Sequence, residues 1–274
     1  MNLPPLDIHR LLKKYAQKPK KSLGQNFLMD STALEKIVRL AEIPPKATVL
    51  EIGPGLGSLT RYLCQHAKRV KAVEIDGRFI PILEEVLAEF ENVEVIHADI
   101  LKVDPATLIA EPGYLVVANI PYYITSAVIR HLLESDNKPS RLVLTVQKEV
   151  AARICAQPGK MNLLALSVQV YGKPHAMLRI PAGAFYPPPK VDSVVVRVDL
   201  HPQPLIPCEH LDTFFKLAKA GFGQKRKTLR NALAAGLQIT NQMAAALLEQ
   251  AGIDPQRRAE TLSLSEWDKL VSKL

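Results

Sequence analysis

The 274-residue sequence predicts an α/β protein, a doubly wound and mostly parallel sheet followed by a small all-α C-terminal domain. Three observations carry that expectation. Apolar strand-like runs alternate with helical patterns between residues 47 and 147, which is the signature of βαβ units. A glycine-rich loop stands directly after the first of those runs. Beyond the proline-broken stretch "HPQPLIP", residues 201–207, only helical periodicity remains.

The elements follow in order. A basic arm carrying Lys13, Lys14, Lys18, Lys20 and Lys21 leads into "SLGQNFLMDSTALEKIVRLA". There Asp30 and Ser31 are the capping residue types, and Ala33, Leu34, Ile37, Val38 and Leu40 recur at helical spacing. "ATVLEIG", "RVKAVEID", "VEVIHAD", "YLVVAN" and "RLVLTVQ" read as strands; "GSLTRYLCQHA", "GRFIPILEEVLAEF" and "TSAVIRHLLES" read as the helices between them. "KPHAMLRI" and "KVDSVVVRVDL", parted by the Pro-rich "AFYPPPK", fit an antiparallel hairpin at the sheet edge. After the linker, "LDTFFKLAKAGF", "KTLRNALAAGL", "NQMAAALLEQAG" and "SLSEWDKLVSKL" make the helical domain. The expected divisions are residues 1–28, 29–200 and 201–274.

Composition narrows the classes. Hydrophobic residues make up 47% and charged residues 23%, an ordinary globular balance, and the net charge of +8 favours a polyanionic partner. Cys64, Cys155 and Cys208 form no C-x-x-C pair, and the seven histidines include no H-E-x-x-H, so no metal site and no disulfide framework are expected. The N-terminus lacks the apolar core of a signal peptide, and no apolar run reaches the roughly 20 residues that span a bilayer. The expectation is a cytoplasmic protein with no membrane partner.

"VLEIGPGLGSLT" sets Gly53, Gly55 and Gly57 at the end of the first strand, where doubly wound sheets bind ligands and where backbone must come close. Glu74 ends the second strand, 21 residues after Gly53, placed to accept hydrogen bonds from ribose hydroxyls. A dinucleotide and S-adenosylmethionine both suit such a loop. Ser58 stands where the dinucleotide fingerprint wants glycine or alanine, and Glu51 would repel a pyrophosphate. Asp99, closing "IHAD", adds an acid that can accept from an adenine amino group. Acids at three strand ends favour a donor carrying an ammonium and a sulfonium, S-adenosylmethionine.

The fourth strand ends in "NIPYYIT". An exocyclic adenine amino group is a poor nucleophile, because its lone pair is delocalised into the ring. The Asn119 amide oxygen and the carbonyl of Ile120 or Pro121 can accept its two N–H bonds and draw the nitrogen toward tetrahedral geometry. Pro121 stiffens the turn, and Tyr122 offers a ring face to an unstacked base. An asparagine that merely caps the next helix is the plainer alternative.

"KSLGQNFL", "VLEIGPGLGSLT", "VEID", "HADIL", "NIPYYIT", "QKEVAARI", "FYPPPKVDSVVV" and "GFGQKRKTLRNAL" occur in this order over almost the whole chain. Together they resemble the family of rRNA adenine N6,N6-dimethyltransferases, most closely its bacterial members. The resemblance implies a Rossmann-like class I methyltransferase sheet with a helical RNA-binding domain. It implies a donor site of Asn26, Leu28, Gly53, Gly55, Glu74, Asp99 and Asn119, with Ile75 and Ile100 sandwiching the adenine ring. It implies catalysis at Asn119 and Pro121, with the acceptor base stacked between Tyr122 and Phe185. Residues 21–28 resemble a flexible segment that folds over the donor. The implied substrate is a pair of adjacent adenosines in the 3′-terminal hairpin loop of 16S rRNA, within the small subunit or its precursor. A monomer is expected.

The family often has Asn where this chain has Tyr123, and commonly Tyr-Gly where it has Leu164-Ala165. "KLAKAGFGQKRKTLR" gathers Lys216, Lys219, Lys225, Arg226, Lys227 and Arg230, a cluster that suits backbone phosphates. The expected RNA contacts are Lys21, Lys190, Lys225, Arg226, Lys227 and Arg230, whereas Arg257 and Arg258 also suit a purely structural role. Three rival readings stay open at this point: a large-subunit rRNA methyltransferase of the macrolide-resistance type, a non-catalytic relative, and a dinucleotide oxidoreductase.

Overall fold

A computed structural model describes residues 3–121 and 123–274, so Tyr122 lies outside the described residues. The chain packs as two compact units, Met1–Ala151 with His175–Leu200, and Ala152–Pro174 with His201–Leu274.

The first unit contains, in chain order, α1 (Ile8–Lys14), β1 (Phe27–Leu28), α2 (Ser31–Ala41), β2 (Thr48–Ile52), α3 (Ser58–Cys64), β3 (Arg69–Glu74), α4 (Ile80–Val86) and β4 (Val93–His97). It continues with α5 (Pro105–Leu108), β5 (Leu115–Asn119), α6 (Thr125–Glu134) and β6 (Arg141–Gln147). Helix α7 (Lys148–Ile154) starts in this unit and ends in the second, where α8 (Leu163–Gln169) follows. Strand β7 (Gly172–Ile180) then leads back to β8 (Phe185–Tyr186) and β9 (Ser193–Leu200).

Seven strands form one sheet in the order β4-β3-β2-β5-β6-β9-β7, while β1 and β8 pair separately. From β4 to β6 all neighbours are parallel, and β9 runs antiparallel to β6. The strand order reverses between β2 and β5, which opens a crevice at their carboxyl ends. The glycine loop and Asn119 both lie there.

Both faces of the sheet are buried. Val49, Val117, Val143 and Val195 share a core with Ile37 and Val38 of α2 and Leu59 and Leu63 of α3. The alternate residues Leu50, Val116, Leu142 and Leu144 are equally inaccessible, as expected for a sheet covered on both sides. The Asp30 side chain accepts from Ala33 N at 3.0 Å and starts α2 where the sequence places its cap.

The N-terminal segment is more than a basic arm. Helix α1 buries Ile8, Leu11 and Leu12 against Phe27, Leu56, Phe79 and Ile82, and Lys14 pairs with Glu85 at 2.6 Å. Apolar residues at helical spacing dock this segment, and its lysines occupy the outer face.

The second unit differs from the expected division because it includes residues 152–174. Buried Leu164, Leu166 and Val168 of α8 give this stretch a helical core to join. Backbone bonds from His201 N to Tyr171 O and from Leu205 N to Val170 O, each 2.8 Å, tie it to the chain after β9. Helices α9 (Leu211–Phe222), α10 (Leu229–Leu237), α11 (Asn241–Gln250) and α12 (Leu264–Val271) complete the unit. Helices α9 and α10 cross closely, since a Cβ at Gly236 would stand 2.5 Å from that of Ala220. Arg257 binds Thr261 and Glu266, the latter closing a capping box with Ser263 at the start of α12. Its role in the fold is therefore structural.

Candidate active site

A cavity of about 310 Å³ opens at the carboxyl edge of the sheet. It is lined by Gly53 and Gly55 after β2, Glu74 and Ile75 after β3, Asp99 and Ile100 after β4, and Asn119 and Pro121 at the end of β5. Asn26 and Leu28, from the segment that includes β1, line it from the other side. All the residues expected to hold the donor thus meet around one space.

The glycines are there for shape. Gly55 has φ +59°, and a Cβ on it would come within 3.0 Å of the Phe27 ring. Its N–H donates to Glu74 Oε2 at 2.9 Å, while Asp76 N–H donates to Oε1 at 2.8 Å. Glu74 is only 4% exposed, and burial raises its carboxyl above the ordinary range against the pull of those amides. Asp99 accepts from Leu101 N at 3.1 Å. Ile75 is 48% exposed yet lines the cavity with buried Ile100, so a flat ring between them would bury Ile75.

Glu51 is the most informative acid. It is 1% exposed, it lines the cavity, and its Oε2 has no hydrogen-bond partner. Burial, with a smaller contribution from the nearby Glu74 charge, pushes its carboxyl up to about 8. A buried carboxyl oxygen with no partner calls for a cationic or proton-donating ligand, and a cation there would draw the carboxyl back to its ionised form. The acids present therefore fit S-adenosylmethionine, whose ammonium would be the missing partner.

Asn119 is oriented by the chain itself. Its Nδ2 donates to Asn26 O at 3.1 Å, and Asn26 Nδ2 donates to Gly24 O at 3.0 Å. No hydrogen bond between described residues uses the Asn119 Oδ1, which leaves the acceptor atom for a ligand. The Pro121 carbonyl already accepts from Ile124 N at 3.2 Å and from the Thr125 hydroxyl at 3.5 Å. Of the two candidate carbonyls, that of Ile120 is the freer.

The expected aromatic partner of the base is placed differently. Phe185 is 2% exposed, is absent from the cavity lining, and packs with Leu28, Ile180, Ala184 and Val195 in the core. In the β1–β8 pair Phe185 stands opposite Leu28, and successive residues face opposite sides, so the buried side falls to Phe185. Its ring is not presented to the cavity. Tyr122, its expected counterpart, lies outside the described residues, and the exposed ring lining the cavity is that of Tyr123.

The profile of the family described as ribosomal RNA adenine dimethylase matches residues 16–273. The chain belongs to that family. It is a methyltransferase, and the dimethylase family and its fold imply an S-adenosylmethionine-type methyl donor. Ribosomal RNA small subunit methyltransferase A of Dehalococcoides mccartyi is 48% identical over 261 residues, covering 95% of this chain and 90% of that protein. The protein of the same description from Alkaliphilus metalliredigens is 43% identical over 277 residues, covering 98% and 96%. Among solved structures, a dimethyladenosine transferase from Plasmodium falciparum superposes with TM-score 0.76 at 27% identity, covering 89% of this chain and 95% of that one. The 23S rRNA methyltransferase ErmE gives TM-score 0.74 at 29% identity, covering 91% and 99%.

In the second unit, the turn between α9 and α10 exposes Lys225, Arg226 and Lys227, and among the described residues none of the three forms an ion pair. Arg230 is half-buried. Lys225 and Lys227 share a cleft with Arg153 and Lys160, two cations that sequence reasoning did not single out. Gly159 N and Met161 N both bond the Glu260 carbonyl, at 2.8 and 3.1 Å, and so hold Lys160 at that rim. Arg153 sits in "QKEVAARI", a segment quoted for its resemblance only; its charge was the available signal. In the first unit Lys21 and Lys190 are exposed. No helix among the described residues is long and apolar enough to cross a membrane.

Proposed function

We propose that this dimethylase transfers methyl groups from S-adenosylmethionine to N6 of two adjacent adenosines in the 3′-terminal hairpin loop of 16S rRNA, in the small subunit or its precursor, during subunit maturation. The observation that carries the chemistry is the Asn119 amide, whose N–H is spent on the Asn26 carbonyl so that Oδ1 is left as an acceptor at the cavity.

A bound donor would supply an electrophilic methyl group on a sulfonium that leaves as a neutral thioether, and the methylated nitrogen then loses its proton to solvent. The chain's part is to place the acceptor nitrogen. Asn119 Oδ1 and the Ile120 carbonyl accept its two N–H bonds, and the rigid Pro121 turn keeps both aimed at the developing tetrahedral amine. Tyr122 is assigned the stacking face for the extruded base. Glu74 and Asp99 hold the ribose and the adenine of the donor, Ile75 and Ile100 flank its ring, and Asn26 and Leu28 cover it. Lys21, Lys190, Lys225, Arg226, Lys227 and Arg230 contact phosphates, so RNA shape supplies selectivity more than base reading does. The enzyme acts as a monomer in the cytoplasm, with residues 1–28 as arm and donor cover, the sheet unit as the methyltransferase domain, and the helical unit, residues 152–174 with 201–274, as the principal RNA-binding domain.

The small-subunit target is supported by the identities: 43–48% to relatives described as small subunit methyltransferase A, against 29% to a 23S rRNA methyltransferase. The test offers undermethylated small subunits and protein-free large-subunit rRNA with labelled donor, followed by nuclease digestion and mass spectrometry. Dimethyladenosine is expected from small-subunit RNA alone. Label confined to large-subunit RNA contradicts the target, and label in neither contradicts the activity.

A further inference from the structure

The cleft beside the α9–α10 turn brings like charges together. Arg153 near the end of α7, Lys160 in the loop before α8, and Lys225 and Lys227 in the turn all line it. All four are exposed, and among the described residues none of them forms an ion pair. Glu260 is the single acid in the lining, and its carboxylate already stands 4.0 Å from Arg258. Arg226, between the two turn lysines, stays outside the lining. Four unpaired cations around one cleft repel one another, and an anion there relieves that repulsion.

The loop that carries Lys160 is tied in place. Asn162 Oδ1 accepts from Ala165 N at 3.1 Å and caps α8, while its Nδ2 donates to the Arg153 carbonyl at 2.9 Å. One side chain thus joins the end of α7 to the start of α8 across Lys160. The Glu260 carbonyl fastens the same loop through Gly159 N and Met161 N, the two neighbours of Lys160. Between the cations the wall is apolar. Met161 is buried, and Phe222 is half-buried with its ring stacked on that of fully buried Trp267, 6.0 Å between centroids. Trp267 supports the ring, and Phe222 borders the cleft. The cleft holds about 340 Å³, within the range of small-ligand sites and more than a phosphate group fills.

We propose that this cleft is a nucleotide subsite. It holds one unstacked nucleotide of the RNA, outside the methylated pair, with the phosphate among Arg153, Lys160, Lys225 and Lys227 and the base against Phe222. Cations alone would suit any passing backbone; cations with an aromatic ring favour a nucleotide that has left its helix. Unstacking costs least in a loop or bulge, so the substrate carries a second unpaired nucleotide besides those presented to Asn119. None of the residues lining the cleft lines the donor cavity. The subsite rests on the reading that the protein acts on RNA.

The test titrates uridine 5′-monophosphate, ribose 5-phosphate and inorganic phosphate into the whole protein, with the donor cavity filled by S-adenosylhomocysteine. Binding is read by NMR at the Phe222 ring and the Lys160 amide. The uridine nucleotide should shift both signals and bind about 10-fold more tightly than ribose 5-phosphate, the scale of one base stacked on an aromatic ring. Phe222→Leu, which keeps an apolar partner for Trp267, should bring that ratio to about one. Arg153→Gln combined with Lys160→Gln changes only exposed side chains and should weaken all three probes together. With undermethylated small subunits, the same double variant should flatten the slope of log K against log[salt] by ~1.4 units, at ~0.7 per cation. Equal affinity of the wild type for the uridine nucleotide and ribose 5-phosphate reduces the cleft to a plain phosphate contact and overturns the subsite. Unmoved cleft signals overturn it as well. Either result leaves methylation of small subunits by the wild-type protein intact, whereas absence of that methylation overturns the proposed function instead.

Discussion

At the carboxyl edge of the sheet Glu51, Glu74 and Asp76 are each less than 5% exposed, and the latter two are held by backbone amides or by an arginine. In the α9–α10 turn the charges are cations instead, and Lys225, Arg226 and Lys227 stand in solvent with no ion pair among the described residues. The first region bears the cost of burying charge and gains a fixed geometry. The second bears no such cost, and its attraction is long-ranged, unspecific and screened by salt. A small ligand that must be oriented within a fraction of an ångström suits the first; a folded polyanion suits the second.

Perturbing each region should separate the two modes. The largest effect is expected where a residue changes sides in this comparison. Phe185 belongs with the buried groups, so Phe185→Ala should lower unfolding free energy by about 3–5 kcal/mol, the range for a fully buried ring. Chemical denaturation measures it, and a loss below about 1 kcal/mol with weakened RNA binding would return Phe185 to a stacking role.

Next, Glu74→Ala should weaken donor binding by roughly 1.5–3 kcal/mol, the scale of hydrogen bonds to a charged group. Asp99→Ala, removing a half-buried acid, should fall at the lower end of that range. Calorimetry at two ionic strengths should find the losses insensitive to salt, and unchanged affinity in both variants contradicts the donor site. Reversing Lys225, Arg226 and Lys227 together should act the opposite way. Donor affinity stays constant, while the slope of log K for RNA against log[salt] flattens by about 2–3 units, one phosphate per cation. An unchanged slope makes the turn an ordinary solvated surface.

A further effect is a pH dependence. Glu51 is pushed from an ordinary 4.5 to about 8 by burial and by Glu74, so between those values the folded protein keeps a proton that the unfolded chain has lost. The contribution of this group to stability is therefore full below about pH 4.5 and declines as pH rises toward 8. Glu51→Gln removes that titration. Its denaturation midpoint relative to wild type should improve from pH 5 to pH 8, and parallel midpoints contradict an elevated carboxyl.

What the sequence made legible follows from periodicity and from chemistry at strand ends. Alternating patterns marked β2 to β6, the glycine loop marked the crevice, and Glu74, Asp99 and Asn119 stood at strand termini where side chains must enter it. Other features were illegible because they depend on which core a segment joins. The apolar positions of α8 show a helix but not its partner, so residues 152–174 read as part of the sheet domain. In "AFYPPPK" the Phe185 ring could face the cavity or the core, and only the β1–β8 register decides. The cleft of Arg153, Lys160 and Phe222 joins residues whose spacing carries no pattern.

The central claim is that Asn119 aligns the acceptor nitrogen for methyl transfer, and single-turnover kinetics with Asn119→Ala tests it most directly. Removing one preorganised acceptor should slow methyl transfer about 10²–10³-fold. Donor affinity, measured separately, should change far less, because Glu51, Glu74 and Asp99 remain. A transfer rate near that of wild type, with donor and RNA both saturating, would contradict the account.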